Sequence, residues 1–456
     1  MTLKVPAPLD PNFRPLEMEM RAYEKDVAAS GRGVDFAVTI LRNQGYCDCY
    51  QTQIFPDGED ERTVPLLDRL VKTLLWARGG WKIVTYGSPA VHAHFAAAYR
   101  VGGERAFDAD FMSTVYERPF EVAYADSLED ALQTRSSAGG QGRQLKGCRI
   151  GFDAGGSDRK VSAVIDGEAV YSEEVVWFPK VNSDPQYHYD GILEAMKTAA
   201  SHMPRVDAIG VSSAGVYIDN KVMVASLFLK VSKEDFAKRV KNIYIDVARE
   251  IGAPVVVAND GDVTALAGAM ELGVGNVLGI AMGTSEAGGY VDKDMNITGW
   301  LNELAFAPVD LNDKSAVDEW SGDWGCGVKY FSQDGVIKLA PAAGIRLDEN
   351  LSPAEKLKVV QGEMKRGNPE AAKIYASIGV YFGYSLAWYA RFYEIDHVLI
   401  MGRVTSGEGG PIILEKAQEV LEKEFPELAK RMQLHIPDEN SRRVGQSVAA
   451  ASLPEV

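Results

Sequence analysis

Apolar and polar positions alternate with period two in short runs and recur at helical spacing in longer ones, and the two patterns take turns along the chain. Residues 34–42 (VDFAVTILR) and 46–55 (YCDCYQTQIF) alternate around Asn43-Gln44-Gly45, which predicts a β-hairpin. Between Val64 and Trp76, residues Leu67, Leu70, Val71, Leu74 and Leu75 lie at helical spacing. Gly79-Gly80 ends that run, before a predicted strand over Trp81–Tyr86 and a helix over Ala90–Tyr99. Upstream, Pro6, Pro8, Pro11 and Pro15 predict an extended arm and not a packed element. Residues 134–147 (TRSSAGGQGRQLKG) are polar and rich in Gly and Ser, which predicts a linker.

The pattern then restarts. Strands are predicted over Cys148–Phe152, Lys160–Asp166 and Ala169–Phe178, the last two joined at Asp166-Gly167. A helix follows around Gly191–Ala200, then a buried strand, Val206–Ser212, that runs into Ser213-Ala214-Gly215. Phe236–Ile251 has one apolar face and predicts an amphipathic helix. The strand Val255–Val257 delivers Asn259-Asp260 to the helix Val263–Leu272, and Val277–Met282 is another buried strand. Ser352-Pro353-Ala354-Glu355 is a capping box with proline at the first helical position. Glu370–Tyr393 predicts one long apolar helix, followed by the strand His397–Met401, the turn Gly402–Gly410 and a helix opened by Pro411. Such alternation predicts α/β domains built on layered sheets. Phe36–Pro56 and Ser162–Pro179 share a layout of strand, turn, strand, aromatic and proline. The N-terminal unit therefore reads either as a degenerate copy of the second unit or as convergent hairpin chemistry.

At 456 residues the chain is long enough for two or three domains, and 46% apolar with 25% charged residues is the balance of a globular protein. Lys and Arg number 48 against 64 Asp and Glu, a net charge of −16. That excess argues against nucleic-acid or anionic-membrane partners, which need clustered cations. It leaves nucleotides open, since backbone N–H groups and a metal ion grip them locally. Cys47, Cys49, Cys148 and Cys326 match no zinc spacing and read as free thiols of a reducing cytosol. No secretory signal is visible and no apolar run is long enough to span a membrane, so a cytoplasmic protein is expected.

Candidate chemistry sits in three turns of small residues that follow apolar strands, where ligands gather in open α/β sheets. The first is Asp153-Ala154-Gly155-Gly156-Ser157-Asp158. Its glycines let N–H groups approach an anion, Ser157 offers a hydroxyl, and Asp153 can hold magnesium through water. The second is Gly283-Thr284-Ser285-Glu286-Ala287-Gly288-Gly289, where Glu286 must point away from a phosphate or reach its metal. The third, Gly402-Arg403 and the residues to Gly410, can pack against an adenine ring. Asn259-Asp260 falls between the first and second; a plain helix N-cap is the alternative role for Asp260.

Taken in this order, the turns resemble the actin-like ATPase superfamily, with its two-lobed RNase H-like α/β fold, and within it the ROK family (repressors, open reading frames, kinases). The family's D-x-G-G-T, N-D-A-N-A-A-A-L and G-T-G-x-G-G segments correspond to the turn at Asp153, to Asn259–Leu266 and to the turn at Gly283. The likeness covers about residues 148–456. It implies ATP-dependent phosphorylation of a sugar hydroxyl, with ATP and Mg2+ as cofactors and Asp260 as general base. Asn259, Glu303, Ala214 and Gly215 would meet the sugar. Asp153, Gly155, Gly156, Ser157, Gly283, Thr284, Ser285, Gly402 and Arg403 would serve the nucleotide and its phosphates. The partner implied is a small-molecule sugar, and a homodimer is compatible. The chain departs from the pattern at the family's zinc site: Phe306 stands at the His position, Gly325-Cys326-Gly327 keeps one thiol, and Val328 falls near a lost sugar-binding Glu. One thiol cannot make a tetrahedral site, so no zinc is expected. Glu286, Phe306 and Val328 also motivate a second reading, a catalytically decayed sugar or nucleotide sensor. The expected organisation is an accessory α/β domain over 1–133, a linker over 134–147, and kinase lobes over 148–258 and 259–456.

Overall fold

A computed structural model describes residues 2–136, 142–437 and 439–455. It divides into two compact units. One comprises Met1–Ser137, Ile280–Gly288 and Trp300–Ile436; the other comprises Ala138–Gly279, Gly289–Gly299 and Pro437–Val456. The N-terminal third is thus no separate domain, and the expected boundary at 258/259 is not where the chain divides. Ser137–Gln141 of the expected linker lie outside the described residues.

In the first unit, the strands β1 (Val34–Leu41), β2 (Cys47–Ile54), β3 (Lys82–Tyr86) and β4 (Glu121–Tyr124) form a sheet of order β2-β1-β3-β4. β1 is antiparallel to both neighbours and β3 is parallel to β4. An RNase H-like unit pairs its first strand in parallel on one side, so the shared layout with Ser162–Pro179 is hairpin chemistry and not a copied domain. The prolines do keep the N-terminal arm free of helix and strand until the helix Leu16–Ser30. It is nonetheless packed: Val5, Ala7 and Phe13 are buried, and Tyr381 Oη donates to Asp10 Oδ2 at 2.7 Å.

The second unit has the RNase H-like arrangement. β5 (Cys148–Ala154), β6 (Asp158–Ile165) and β7 (Glu168–Val176) form an antiparallel meander, and β8 (Ala208–Ser213) pairs in parallel with β5. A small hairpin, β9 (Val216–Ile218) and β10 (Lys221–Val224), precedes β11 (Val255–Asn259), which is parallel to β8. The order is β11-β8-β5-β6-β7. Ile150, Phe152, Ile209 and Val211 bury one sheet face with Ile192 and Met196 of the helix Pro185–Ala200 and Val247 of Ile243–Ile251. On the other face Gly151 and Gly210 let the backbone of the helix Glu439–Ala451 come closer than any Cβ would allow. That last helix belongs with this unit, although the sequence suggests the second lobe. Phe236–Ile251 is also not one helix, since a wide turn at Phe236–Val240 precedes Ile243–Ile251.

The remaining sheet holds β12 (Val277–Met282), β13 (Glu286–Val291), β14 (His397–Met401) and β15 (Gln433–His435), in the order β13-β12-β14-β15. The capping box at Ser352 forms as expected, and the long apolar helix spans Pro369–Tyr389. Among the described residues, no helix is long and apolar enough to cross a membrane.

Candidate active site

β5, β8 and β11 run in parallel, so their carboxyl ends share one edge of the sheet. Asp153 lies in register with Ser212, and Ser212 with Ala258. The Ala214-Gly215 bend and Asn259-Asp260 therefore arrive beside Asp153. Asp153 is 6% exposed and accepts from Ser212 Oγ at 2.9 Å and Gln446 Nε2 at 3.2 Å, with Lys160 Nζ 3.9 Å away. Burial pushes its carboxyl up to about 6; the Asp260 charge adds to this, while Ser212 and Lys160 oppose it. A buried carboxylate with a second nearby suits a hard divalent cation that keeps most of its waters.

Asp260 opens the helix Asp260–Leu272 but does not cap it. The cap is Asn259, whose Oδ1 accepts from Gly261 N at 2.7 Å while its Nδ2 donates to Gly215 O at 2.8 Å. One side chain thus satisfies a helix end and ties down the Ala214-Gly215 bend, so Asn259 acts here as a brace. Asn259→Ala should lower unfolding free energy by about 1 kcal/mol in a urea titration; unchanged stability would refute the bracing role. Asp260 stays half-buried, with Oδ1 3.0 Å from Gly261 N. Burial raises its carboxyl above the usual range, against the pull of the Gly261 N–H and of Lys180.

Gly155 and Gly156 are required for space and not for backbone angle, since neither has a positive φ. A Cβ on Gly155 would lie 2.8 Å from Asp158 O, and one on Gly156 2.6 Å from Lys180 Cε. Ser157 is exposed, and its hydroxyl donates to Asp158 Oδ2 at 3.1 Å.

The other unit carries the second and third turns. Gly283 N donates to Ser285 O at 3.0 Å, Gly283 O accepts from Gln333 N at 2.9 Å, and Thr284 and Ser285 are exposed. Gly402 has φ 101°, and a side chain there would run into the Met282 carbonyl. The turns after β12 and β14 therefore pack backbone against backbone. Arg403 is exposed, its carbonyl accepting from Gln361 Nε2 at 2.8 Å. Glu286 is 3% exposed and its carboxyl lies against Gly327, both oxygens lacking a hydrogen-bond partner. Burial, then the charge of Glu303, holds it well above the usual carboxylate range. It points away from the turn, and the repulsion that its sequence position threatened does not arise. Glu303 is half-buried on a segment whose Leu301, Asn302 and Glu303 N–H groups donate to the carbonyls of Arg78, Ala77 and Trp76 at 3.2, 3.1 and 3.1 Å. The orphan carbonyls at the end of the helix Thr63–Arg78 thus place Glu303.

No protein-family model matches the sequence, nor does any curated protein. Solved structures do. A ROK hexokinase from Thermus thermophilus matches at 18% identity and a TM-score of 0.52, over 67% of this chain and 97% of that one. A ROK family transcriptional regulator, a homolog of the E. coli MLC protein, matches at 17% identity and the same TM-score of 0.52, over 68% and 79%. The chain has the ROK fold. The fold is common to a kinase and a regulator, so it does not by itself choose between them.

Beside Cys326, in the stretch where the sequence departs from the expected zinc motif, lies a buried ion cluster. Asp323 Oδ2 accepts from Arg69 Nη1 and Lys72 Nζ at 2.7 Å each, with Arg105 Nη1 at 3.1 Å. Lys72 also lies 3.6 Å from Asp108, and Asp68 pairs with Arg105 and, at 2.9 Å, with His94 Nε2. All three Asp and all three cations are buried. Burial would raise Asp323, but Lys72, Arg69 and Arg105 hold it well below the usual range. Burial pushes the Cys326 thiol up to about 12. Phe306 packs at a tilt against Trp76 with centroids 4.4 Å apart, and Trp324 carries the Arg69 guanidinium 3.7 Å from its ring. Among the described residues, no group of three or more His, Cys, Asp or Glu side chains is placed to hold a metal. Ion pairs and aromatic packing, with Arg69, Lys72 and Trp76 supplied by the helix Thr63–Arg78, thus surround Cys326.

Sequence reasoning missed Ser212 and Gln446, which hold Asp153, and gave no role to Lys160 or Lys180. Lys160 is half-buried, 3.3 Å from Asp158. Its position two residues beyond the first turn was the available signal. Nothing local marks Lys180.

Proposed function

We propose that the protein is an ATP-dependent phosphotransferase acting on a sugar hydroxyl, with Asp260 as general base. What carries the reading is that Asn259 takes the helix cap, leaving Asp260 half-buried at the sheet edge beside Asp153. A carboxylate raised by burial is the better base near neutral pH. Asp260 takes the hydroxyl proton as the oxygen attacks the γ-phosphorus in line. Gly155, Gly156 and Ser157, and likewise Gly283, Thr284 and Ser285, are turns able to offer backbone and hydroxyl donors to phosphate. Gly402 and Arg403 serve the adenosine. Glu303 and the Ala214-Gly215 bend meet sugar hydroxyls. Magnesium, held through water by Asp153, would supply charge neutralisation when bound.

Two of the three departures that suggested a decayed sensor have packing explanations: Glu286 is turned inward and Phe306 fills an aromatic cluster. The test is ADP release across hexoses, amino sugars and polyols, with Asp260→Ala as control. Turnover abolished by that substitution supports the proposal. Nucleotide binding without turnover on any of them would refute it in favour of a sensor.

A further inference from the structure

The segment after β7 crosses the first glycine turn and is bolted to it. Trp177 Nε1 donates to Gly155 O at 2.8 Å, and Trp177 N to Ser157 O at 3.2 Å. Phe178 N donates to Tyr187 Oη at 2.9 Å, and Pro179 O lies 3.0 Å from Nε2 of the fully buried His188. This anchored backbone lays Lys180 along the turn: its Cε and Nζ are 2.6 and 2.8 Å from where a Cβ on Gly156 would stand. Lys160, by contrast, is committed to Asp158 and Asp153. Lys180 is exposed and makes no ion pair or hydrogen bond among the described residues. Its charge nevertheless reaches the Asp260 carboxyl. An unpaired ammonium lying on a glycine turn, beside a carboxylate and on a fixed backbone, is suited to a phosphate oxygen that arrives with substrate.

We propose that Lys180 is a further catalytic residue, one that grips the phosphoryl group being transferred. The inference rests on the phosphotransferase reading above. As the sugar oxygen bonds to the γ-phosphorus, the bond from that phosphorus to the ADP oxygen breaks and the hydroxyl proton passes to Asp260. Lys180 keeps its own proton and offsets charge on the moving oxygens.

The experiment compares wild type, Lys180→Met and Lys180→Arg as full chains, by steady-state kinetics and by calorimetric titration with ATP, ADP and AMP. Lys180→Met should lower kcat/KM for ATP by roughly 10²-fold. It should also weaken ATP binding by about tenfold, the effect of losing one charge-assisted contact of 1.4 kcal/mol, and leave AMP binding and melting temperature unchanged. Lys180→Arg should recover most of both losses. Wild-type kinetics and ATP affinity in Lys180→Met would overturn the assignment, as would equal weakening of AMP and ATP. If wild type turns over and Asp260→Ala does not, these outcomes strike Lys180 alone. A wild type that neither binds ATP nor releases ADP defeats both readings.

Discussion

Asp260→Asn should lower kcat by about 10²–10⁴-fold, the usual worth of a positioned general base, while KM for sugar and nucleotide changes little. Asn is nearly isosteric and cannot accept the hydroxyl proton. The fold should tolerate the change, because Asn259 and not Asp260 caps the following helix. Equal melting temperatures would show that the loss is chemical. The pH profile supplies a second check. The base must be ionised to act, and burial raises the Asp260 carboxyl. Wild-type kcat/KM should therefore fall, as pH drops, at a value above the ordinary carboxylate pKa of about 4. An Asp260→Asn enzyme that retains wild-type kcat would remove the general-base role.

Asp323→Ala should be the most destabilising single change in the first unit, costing about 3–5 kcal/mol by urea or guanidinium titration. It removes a carboxylate shared by Arg69, Lys72 and Arg105 and leaves three buried cations with only Asp68 and Asp108 to offset them. The pH dependence has a definite sign. Asp323 has a folded pKa below its unfolded one, so its contribution is complete above the unfolded value of about 3.9 and is lost as pH falls through the depressed folded value. A chelator should leave the melting temperature unchanged, since the Asp323 carboxylate is already paired with three cationic side chains. A stability loss under 1 kcal/mol in Asp323→Ala, or a fall in melting temperature with EDTA, would contradict this account.

The cluster also gives the N-terminal segment a physical role. Its helix Thr63–Arg78 supplies Arg69 and Lys72 to Asp323, Trp76 to Phe306, and three terminal carbonyls to the segment that bears Glu303. Trp388 Nε1 donates to Thr73 Oγ1 at 3.1 Å, which ties the same helix to the long apolar one. Removing residues 1–133 would strip these supports and is not equivalent to trimming an appendage.

Much of this protein was legible along the chain because the deciding physics is local. Period-two alternation and glycine stops located the strands, and a capping box located a helix start. The three small-residue turns stand out because strands must end somewhere, and only small residues let backbone approach an anion. Those turns carry Asp153, Gly283 and Gly402, and Asp260 falls between the first two in the chain. What local pattern could not settle was which distant groups would meet. Arg69 and Lys72 stand as charges between the apolar positions of one helix; pairing with Asp323, 254 residues beyond Arg69, makes them interior. Likewise, no sequence signal says that the last helix returns to β5 and β8, that Asn259 takes the cap, or that Lys180 lies on Gly156. Charges and amides take their roles from the partners that the tertiary structure brings within reach, because the cost of burying them depends on those partners and not on their neighbours in sequence.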